Sequence, residues 1–143
     1  MSALDEVRGA SNQFYSALSR MAGGENNTME NVWPHNDSVT AMHPIGGREN
    51  GWDAVKGSFN GVGQLAEGGK VELKDQLIRV LGDVAYEVGN EEGEIKINGR
   101  QVKIGQRVTN IYQKEGGSWK LVHHHADISP AMVEMVSNLQ SKS

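Results

Sequence analysis

The sequence predicts an α+β fold in which helices cover one face of a single curved antiparallel sheet. Apolar residues in the first half recur every three or four positions, which is the period of an amphipathic helix. From Gly69 onward the pattern is extended and divided by turn residues, as in consecutive strands. This order, with helices first and then a run of strands, is typical of α+β proteins. In an antiparallel sheet, helices can cover one face while the other face stays open.

The size and composition of the chain predict one domain with its own core. It has 143 residues, of which 37% are hydrophobic and none is cysteine. A chain of about 150 residues usually forms one domain and folds without disulfides, and the lack of cysteine excludes disulfides and thiolate metal sites. We expect a single domain over residues 1–128 and a C-terminal helical extension over residues 129–143.

The first predicted helix starts at Leu4 and reaches Met21, because its apolar residues form one stripe. Ser2 is placed to cap this helix together with Asp5, three residues later. Gly23-Gly24 ends it, since glycine tolerates the left-handed conformation found at helix ends.

A second, shorter helix is predicted before the first strand. Asn27 and Glu30 repeat the capping pattern, so this helix is expected to run to Trp33 before Pro34 breaks it. Residues 38–43 are β-prone and end in proline and glycine, which predicts a short strand.

A third helix is predicted over residues 52–66. Its apolar residues step by three or four: Trp52, Val55, Phe59, Val62 and Ala66. Gly57 and Gly61 each lower the helix propensity by about 1 kcal/mol, so this helix needs tertiary contacts to form.

The second half predicts a meander of four strands. Residues 71–80 and 84–97 are joined by a turn at Gly82-Asp83, and residues 91–93 are expected to form a bulge. Asn98-Gly99 predicts a type I′ hairpin turn, because both central positions of that turn need positive φ.

The last hairpin joins residues 101–114 to residues 118–128 through a three-residue loop. A terminal helix follows from Pro130 to about Leu139, with Ser129 as its cap. Its apolar stripe, which includes two methionines, is expected to pack across the rest of the fold or onto a partner subunit.

Two segments resemble a known family. Residues 107–127, RVTNIYQKEGGSWKLVHHHAD, resemble the final hairpin of the SnoaL-like branch of the nuclear transport factor 2 (NTF2-like) superfamily. His43-Pro44, Gly46-Gly47 and Gly51-Trp52 are similar to the upstream part of that branch, and the element order matches over about residues 3–128.

The resemblance implies a cone-shaped, curved sheet of antiparallel or mixed strands. About three N-terminal helices would wrap this sheet, a short C-terminal helix would follow it, and one end would open to an apolar cavity. Such domains commonly dimerise through the outer face of the sheet. The resemblance implies little about chemistry, because the fold hosts isomerases, dehydratases, hydrolases and members that only bind or assemble.

A three-residue loop predicts the register of the last hairpin. Ile111 should pair with Leu121, Thr109 with His123, and Arg107 with His125, which puts these residues on one face with Trp119 and Asp127. We assign this face to the cavity, because arginine and histidine beside tryptophan and leucine are typical of a ligand pocket. The opposite face, with Val108, Tyr112 and Val122, would be the outer face through which a homodimer forms.

Four residues are the catalytic candidates. His123 and His125 would share one pocket, one of them as general base, and Arg107 would hold a carboxylate or enolate oxygen. His43, at a strand end, is the natural third histidine. The structural alternative is that the histidines are packed and that Arg107 pairs with Asp127.

The same histidines also look like a zinc site, since alternate strand residues can chelate one ion. We predict no metal, because neither a carboxylate nor a third histidine is fixed in register, and we predict no cofactor. The ligand-binding candidates are Tyr15, Trp33, Trp52, Thr109 and Asp127. The tryptophans are as readily explained by a core position, and the Tyr15 hydroxyl should seek a polar partner near the cavity.

Two functions remain open. The first is an isomerase, dehydratase or hydrolase that uses histidine acid–base chemistry on a small apolar molecule with a carbonyl or carboxylate group. The second is a binding or dimerisation module without chemistry. The net charge of −4 with no Lys/Arg cluster disfavours nucleic acid and anionic membranes. No long apolar run or signal-peptide pattern occurs, so the cytoplasm is the expected location.

Overall fold

The computed structural model of the protein describes residues 2–141 and confirms the α+β class. The described elements are α1 (Ala3–Ala22), β1 (Thr40–Met42), β2 (Glu49–Asn50), α2 (Trp52–Leu65), β3 (Ala66–Leu81), β4 (Val84–Ile97), β5 (Arg100–Glu115), β6 (Ser118–Ala126) and α3 (Pro130–Ser141). The strands form one sheet in the order β2-β1-β6-β5-β4-β3. The sheet is mixed, because β1 runs parallel to β6 while the other described neighbours are antiparallel.

Helix α1 has the ends that the sequence predicts. The Ser2 hydroxyl accepts a hydrogen bond of 3.1 Å from the backbone N–H of Asp5, and Gly24 takes a φ of +93° just beyond the helix. The apolar stripe of α1 faces the sheet, and Phe14 and Leu18 are buried there. The helix therefore forms one wall of the core.

The prediction of a short helix after α1 is wrong, since residues 28–33 form turns and a bend. Asn27 has a positive φ of 58°, and its side-chain oxygen accepts a hydrogen bond of 3.0 Å from Asn60 on α2. Its side chain is thus engaged with α2 and does not cap a helix. The turns still bury Met29 and Trp33, so the segment contributes to the core without helical structure.

The predicted bulge at residues 91–93 is also wrong. Strand β4 pairs with β3 without interruption there, and the irregularities lie between Ala66 and Gly69 and between Lys74 and Leu77. Gly93 is required for another reason: a Cβ on it would collide with the backbone carbonyl oxygen of Lys70. The type I′ turn is confirmed, with φ of 52° at Asn98 and 78° at Gly99.

The predicted register of the last hairpin is wrong for two reasons, a shorter loop and one extra residue in β6. The loop has two residues rather than three, so Tyr112 pairs with Leu121. The register then shifts by one, Ile111 pairs with His123, and Val122 is the extra residue of a β-bulge. A bulge inverts the side chains that follow it, so the face assignment beyond residue 122 is reversed.

The bulge and the shorter loop together move residues between the faces of the sheet: the bulge changes the facing of the end of β6, and the shorter loop changes the facing of β5. His124 and Ala126 lie on the inner face, whereas His123 and His125 lie on the outer face. Val108 and Tyr112, which were predicted to be outside, are buried, with 3% and 0% exposure.

The core lies between the helices and the inner face of the sheet. All six residues predicted for it are buried: Phe14, Leu18, Val55, Phe59, Trp119 and Leu121. Helix α3 contributes the buried side chains of Met132 and Met135, which places its apolar stripe against the rest of the fold, one of the two predicted outcomes. Within residues 2–141, none of the helices has the length and hydropathy needed to cross a membrane.

Candidate functional site

A cavity of about 480 Å³ lies between the inner face of the sheet and helices α1, α2 and α3. This volume is in the range of about 300–1,000 Å³ that is usual for small-molecule sites. The apolar side chains that line the cavity are Leu18, Met21, Ile45, Phe59, Val62, Leu65, Val71, Ile95, Ile97, Ile104, Met132, Met135, Val136 and Leu139. Its polar side chains are His43, Glu49, Ser58, Glu91, Gln106 and His124.

His43 directly follows β1 and presents a neutral imidazole to the cavity. Its Nε2 lies 2.8 Å from the Oγ of Ser58, and the Ser58 hydroxyl donates to the backbone carbonyl of Val55 at 2.7 Å. Since a hydroxyl has one hydrogen, Nε2 of His43 is the donor to Ser58, which leaves Nδ1 as an acceptor. Burial lowers the pKa of His43 to about 4, so the ring is uncharged at neutral pH.

His124, just beyond the bulge, is held in a fixed tautomer by Asn110. The amide nitrogen of Asn110 donates to Glu87 at 2.9 Å and to the Tyr15 hydroxyl at 3.0 Å, so its oxygen faces His124. Nδ1 of His124 donates to that oxygen at 2.7 Å, and Nε2 is therefore an acceptor. Burial lowers the pKa of His124 well below its usual value. Its ring centroid lies 6.2 Å from that of His43.

Glu91 places a buried carboxyl group in another part of the cavity wall. The Tyr15 hydroxyl donates to its Oε2 at 2.8 Å, and the Gln106 amide donates to its Oε1 at 3.0 Å. Burial raises the pKa of Glu91, and the nearby Glu87 adds to this effect, while the two donors oppose it. Oε1 of Gln106 is buried and has no hydrogen-bond partner among the described residues.

Glu87 supports these side chains from behind the cavity. Its carboxylate is fully buried and accepts hydrogen bonds from Asn110, Tyr112 and Gln76, at 2.9, 2.8 and 2.7 Å. A buried carboxylate is costly unless it is hydrogen-bonded, and three donors meet that requirement. Glu87 thereby fixes the Asn110 amide that in turn orients His124.

Three of the four catalytic candidates lie outside the cavity. The bulge in β6 turns His123 and His125 to the outer side of the sheet, and the two-residue loop of the hairpin places Arg107 and Thr109 on the same side. Arg107 forms an exposed ion pair of 2.7 Å with Asp127, which is the structural alternative weighed for this pair. Of the four, the cavity wall contains only His43. In the part of the chain from residue 2 to residue 141, no three histidine or acidic side chains come close enough to hold a metal ion.

The aromatic candidates lie next to the cavity rather than in its lining. Tyr15 is buried and reaches Glu91 and Asn110 through its hydroxyl, so the predicted polar partner exists. Trp33 packs against Phe14, with ring centroids 6.4 Å apart. Trp52 stacks on the ring of His35 at 4.3 Å. These tryptophans are core residues in this structure.

Sequence reasoning missed Glu91, His124 and Asn110. The sequence did contain a signal for Glu91, which is its position on the inward face of β4. The inward positions of β4 are Ala85, Glu87, Gly89, Glu91, Gly93, Ile95 and Ile97. A charged residue at an inward position between apolar ones is unusual and points to a functional or structural network. His124 had no comparable signal, because its facing depends on the bulge.

Comparisons with a family model and with solved structures each match most of the chain. A family model of the SnoaL-like domain matches residues 7–132. A search of curated proteins gives no match. Among solved structures, an NTF2-like protein from Streptomyces avermitilis, which carries a provisional dehydratase name, is 24% identical with a TM-score of 0.76, covering 88% of this chain and 96% of that one.

Two further structures share the fold. An NTF2-like superfamily protein from Salmonella enterica serovar Typhimurium is 18% identical with a TM-score of 0.76, covering 86% of this chain and 88% of its own. The CaMKII hub of S. rosetta is 20% identical with a TM-score of 0.72, covering 90% of this chain and 98% of its own. At these identities the structures show the fold alone. Since the family model spans most of the sequence, the chain belongs to the SnoaL-like domain family, as the resemblance of its last hairpin predicts.

Proposed function

We propose that the chain binds a small, largely apolar molecule in the cavity, with a hydrogen-bond donor of the ligand directed at His43 or His124. The observation that carries the proposal is an apolar cavity of about 480 Å³ with two uncharged imidazoles in its wall. Apolar contact supplies most of the affinity in such sites, and a few fixed polar groups orient the ligand.

The tautomers of the two histidines support a donor on the ligand. Nδ1 of His43 and Nε2 of His124 are both acceptors, since the other nitrogen of each ring donates to Ser58 or Asn110. A hydroxyl or N–H group satisfies such acceptors. A carboxylate does not, and Arg107, which was expected to bind one, lies outside the cavity.

A second candidate function is proton-transfer catalysis as in an isomerase, dehydratase or hydrolase. The observation that favours it is that a histidine with a fixed tautomer, His124, shares the cavity with a buried carboxyl group, Glu91. The low pKa of His43, about 4, argues against a strong base at that position. Binding therefore ranks first.

A second copy of the chain is the proposed protein partner, through the outer face of the sheet. That face carries exposed apolar side chains on β3 and β4: Leu77, Leu81, Val84 and Tyr86, with exposures of 42%, 65%, 40% and 38%. An apolar patch of this kind is typical of an interface. Sedimentation at micromolar concentration should give a species of twice the 15.6 kDa chain, and a species of 15.6 kDa would contradict the dimer.

Calorimetric titration with toluene and benzyl alcohol tests the proposed function. Both should bind the wild-type chain, and Val62→Trp, which places an indole ring in the cavity, should weaken binding at least about tenfold. Val88→Trp is the matched control, because Val88 pairs with Leu77 and Thr109 on the outer face. Equal binding to Val62→Trp and wild type would contradict a ligand in this cavity.

A further inference from the structure

The cavity wall offers carboxyl groups and hydrogen-bond acceptors, and its described lining residues include no lysine or arginine. The carboxyl groups belong to Glu49 and Glu91. His43 and His124 present acceptor nitrogens, because the other nitrogen of each ring donates to Ser58 or Asn110. The buried lining atom that has no hydrogen-bond partner among the described residues is also an acceptor, the Oε1 of Gln106.

Glu91 and Gln106 place two of these acceptors side by side. The amide nitrogen of Gln106 lies 3.0 Å from Oε1 of Glu91. The oxygen of the same Gln106 amide has no hydrogen-bond partner among the described residues, so it lies next to the Glu91 carboxyl group. Each carboxyl oxygen of Glu91 accepts one hydrogen bond, from Tyr15 or from Gln106, whereas a carboxylate can accept about four. The pair has room for further donors.

Glu91 also has no cationic partner of its own. Within residues 2–141 its carboxyl group makes no ion pair with lysine or arginine. A buried carboxylate without a cation is energetically unfavourable, and a cation brought by a ligand relieves that cost. Burial raises the pKa of Glu91, as expected for a buried carboxyl group that has no cationic partner.

We propose that the ligand is an apolar amine whose ammonium group binds Glu91 and Gln106 and whose hydrocarbon part lies among Ile95, Ile104 and Met132. The inference rests on the proposed function and names the ligand class of the same cavity: the ammonium group is a donor at Glu91 and Gln106, in addition to the donor directed at His43 or His124. An ammonium carries one positive charge and several N–H donors, which matches a carboxylate beside an amide oxygen. A ligand carboxylate would instead bring a second negative charge beside Glu91 in a medium of low polarity.

Three ligands with the same six-carbon chain test the charge preference. Hexylamine, hexanol and hexanoate are titrated into the full chain at neutral pH and followed by calorimetry. We expect hexylamine to bind at least about tenfold more tightly than hexanol, a difference of one decade in Kd, and hexanoate not to bind. Hexanoate binding as tightly as hexylamine would overturn the inference without any variant.

A pair of variants assigns the preference to Glu91. Glu91→Gln keeps the shape of the side chain and removes its charge, and Glu92→Gln makes the same change at the exposed neighbouring position. In Glu91→Gln the advantage of hexylamine over hexanol should disappear while hexanol still binds, and in Glu92→Gln the advantage should remain. An equal advantage in both variants would overturn the inference.

The outcomes separate the inference from the proposed function. If hexanol binds in the cavity and hexylamine has no advantage, the amine inference fails and the binding function stands. If none of the three ligands binds the wild-type chain, the proposed function fails and the inference fails with it.

Discussion

The hydroxyl of Tyr15 donates a hydrogen bond of 2.8 Å to the carboxyl group of Glu91, and this contact joins α1 to the inner face of the sheet. The same hydroxyl accepts a hydrogen bond of 3.0 Å from Asn110, the residue that orients His124. Two polar parts of the cavity wall, Glu91 and His124, are thus held by one tyrosine. This network borders the cavity and fixes the polar part of its wall.

Removal of the Tyr15 hydroxyl should destabilise the fold. Tyr15→Phe leaves the buried groups of Glu91 and Asn110 each short of one partner, which costs about 1–3 kcal/mol of unfolding free energy. The measurement is urea unfolding, with Tyr86→Phe as control because Tyr86 lies at the surface. If both variants lose the same stability, the network has no special role.

The two faces of the sheet should differ in their effect on ligand preference. His43→Leu should reduce the advantage of benzyl alcohol over toluene by about fivefold, because it removes one hydrogen-bond acceptor from the cavity wall. His125→Leu, on the outer face, should leave that advantage unchanged. Calorimetric titration of both variants gives the ratios. A loss in His125→Leu alone would support the site that the sequence predicted and contradict this one.

Acid should destabilise the fold through its buried histidines. The pKa of His43 is lowered from 6.5 to about 4, so between these values the unfolded chain binds a proton that the folded chain does not. Its contribution to stability is therefore complete above about pH 6.5 and is lost as the pH falls toward about 4. The pKa of His124 is also lowered, so this residue likewise reduces the stability of the fold as the pH falls. Glu91, whose pKa is raised, acts in the opposite direction, since its folded form holds a proton more readily.

Urea unfolding of His43→Leu at about pH 7 and about pH 5 isolates this effect. Between those values the wild-type chain should lose roughly 2 kcal/mol more stability than His43→Leu. The control is Val55→Ala, a change in the core that removes no titratable group, which should lose as much stability between the two pH values as wild type. Identical losses in all three proteins would show that His43 does not titrate as described.

Helix α3 should be needed for the cavity. Deletion of residues 130–143 removes Met132, Met135, Val136 and Leu139 from its lining. We expect a loss of roughly 3–6 kcal/mol from the apolar burial and the loss of toluene binding. Thermal unfolding and calorimetry measure both, and deletion of residues 140–143 alone is the control. An unchanged melting temperature and unchanged binding would show that α3 plays no part in the site.

The helices and tight turns could be predicted because their signals are local. The Ser2 cap and the Asn98-Gly99 turn each depend on a few neighbouring residues and have the expected geometry. Local signals could not show that the predicted helix at residues 28–33 is absent. Its apparent cap, Asn27, is bonded to Asn60, which is distant in sequence.

The candidate site was only partly predictable because it depends on the bulge at Val122. Both faces of β6 carry polar and apolar residues, so alternation fits either register. The observed register places His124 opposite Asn110 and Asn110 opposite Glu87, which lets these buried polar groups bond to one another. In the predicted register Asn110 would face Val122 and these bonds would be lost. The bulge is thus selected by tertiary hydrogen bonds that no local pattern reveals.

A crystal structure of the chain with benzyl alcohol tests the central claim most directly. We predict the ring in the cavity beside Phe59 and Met132, with the hydroxyl within about 3.2 Å of Nδ1 of His43 or Nε2 of His124. A ring bound on the outer face beside His123 and His125, with the cavity empty at saturating ligand, would contradict the account.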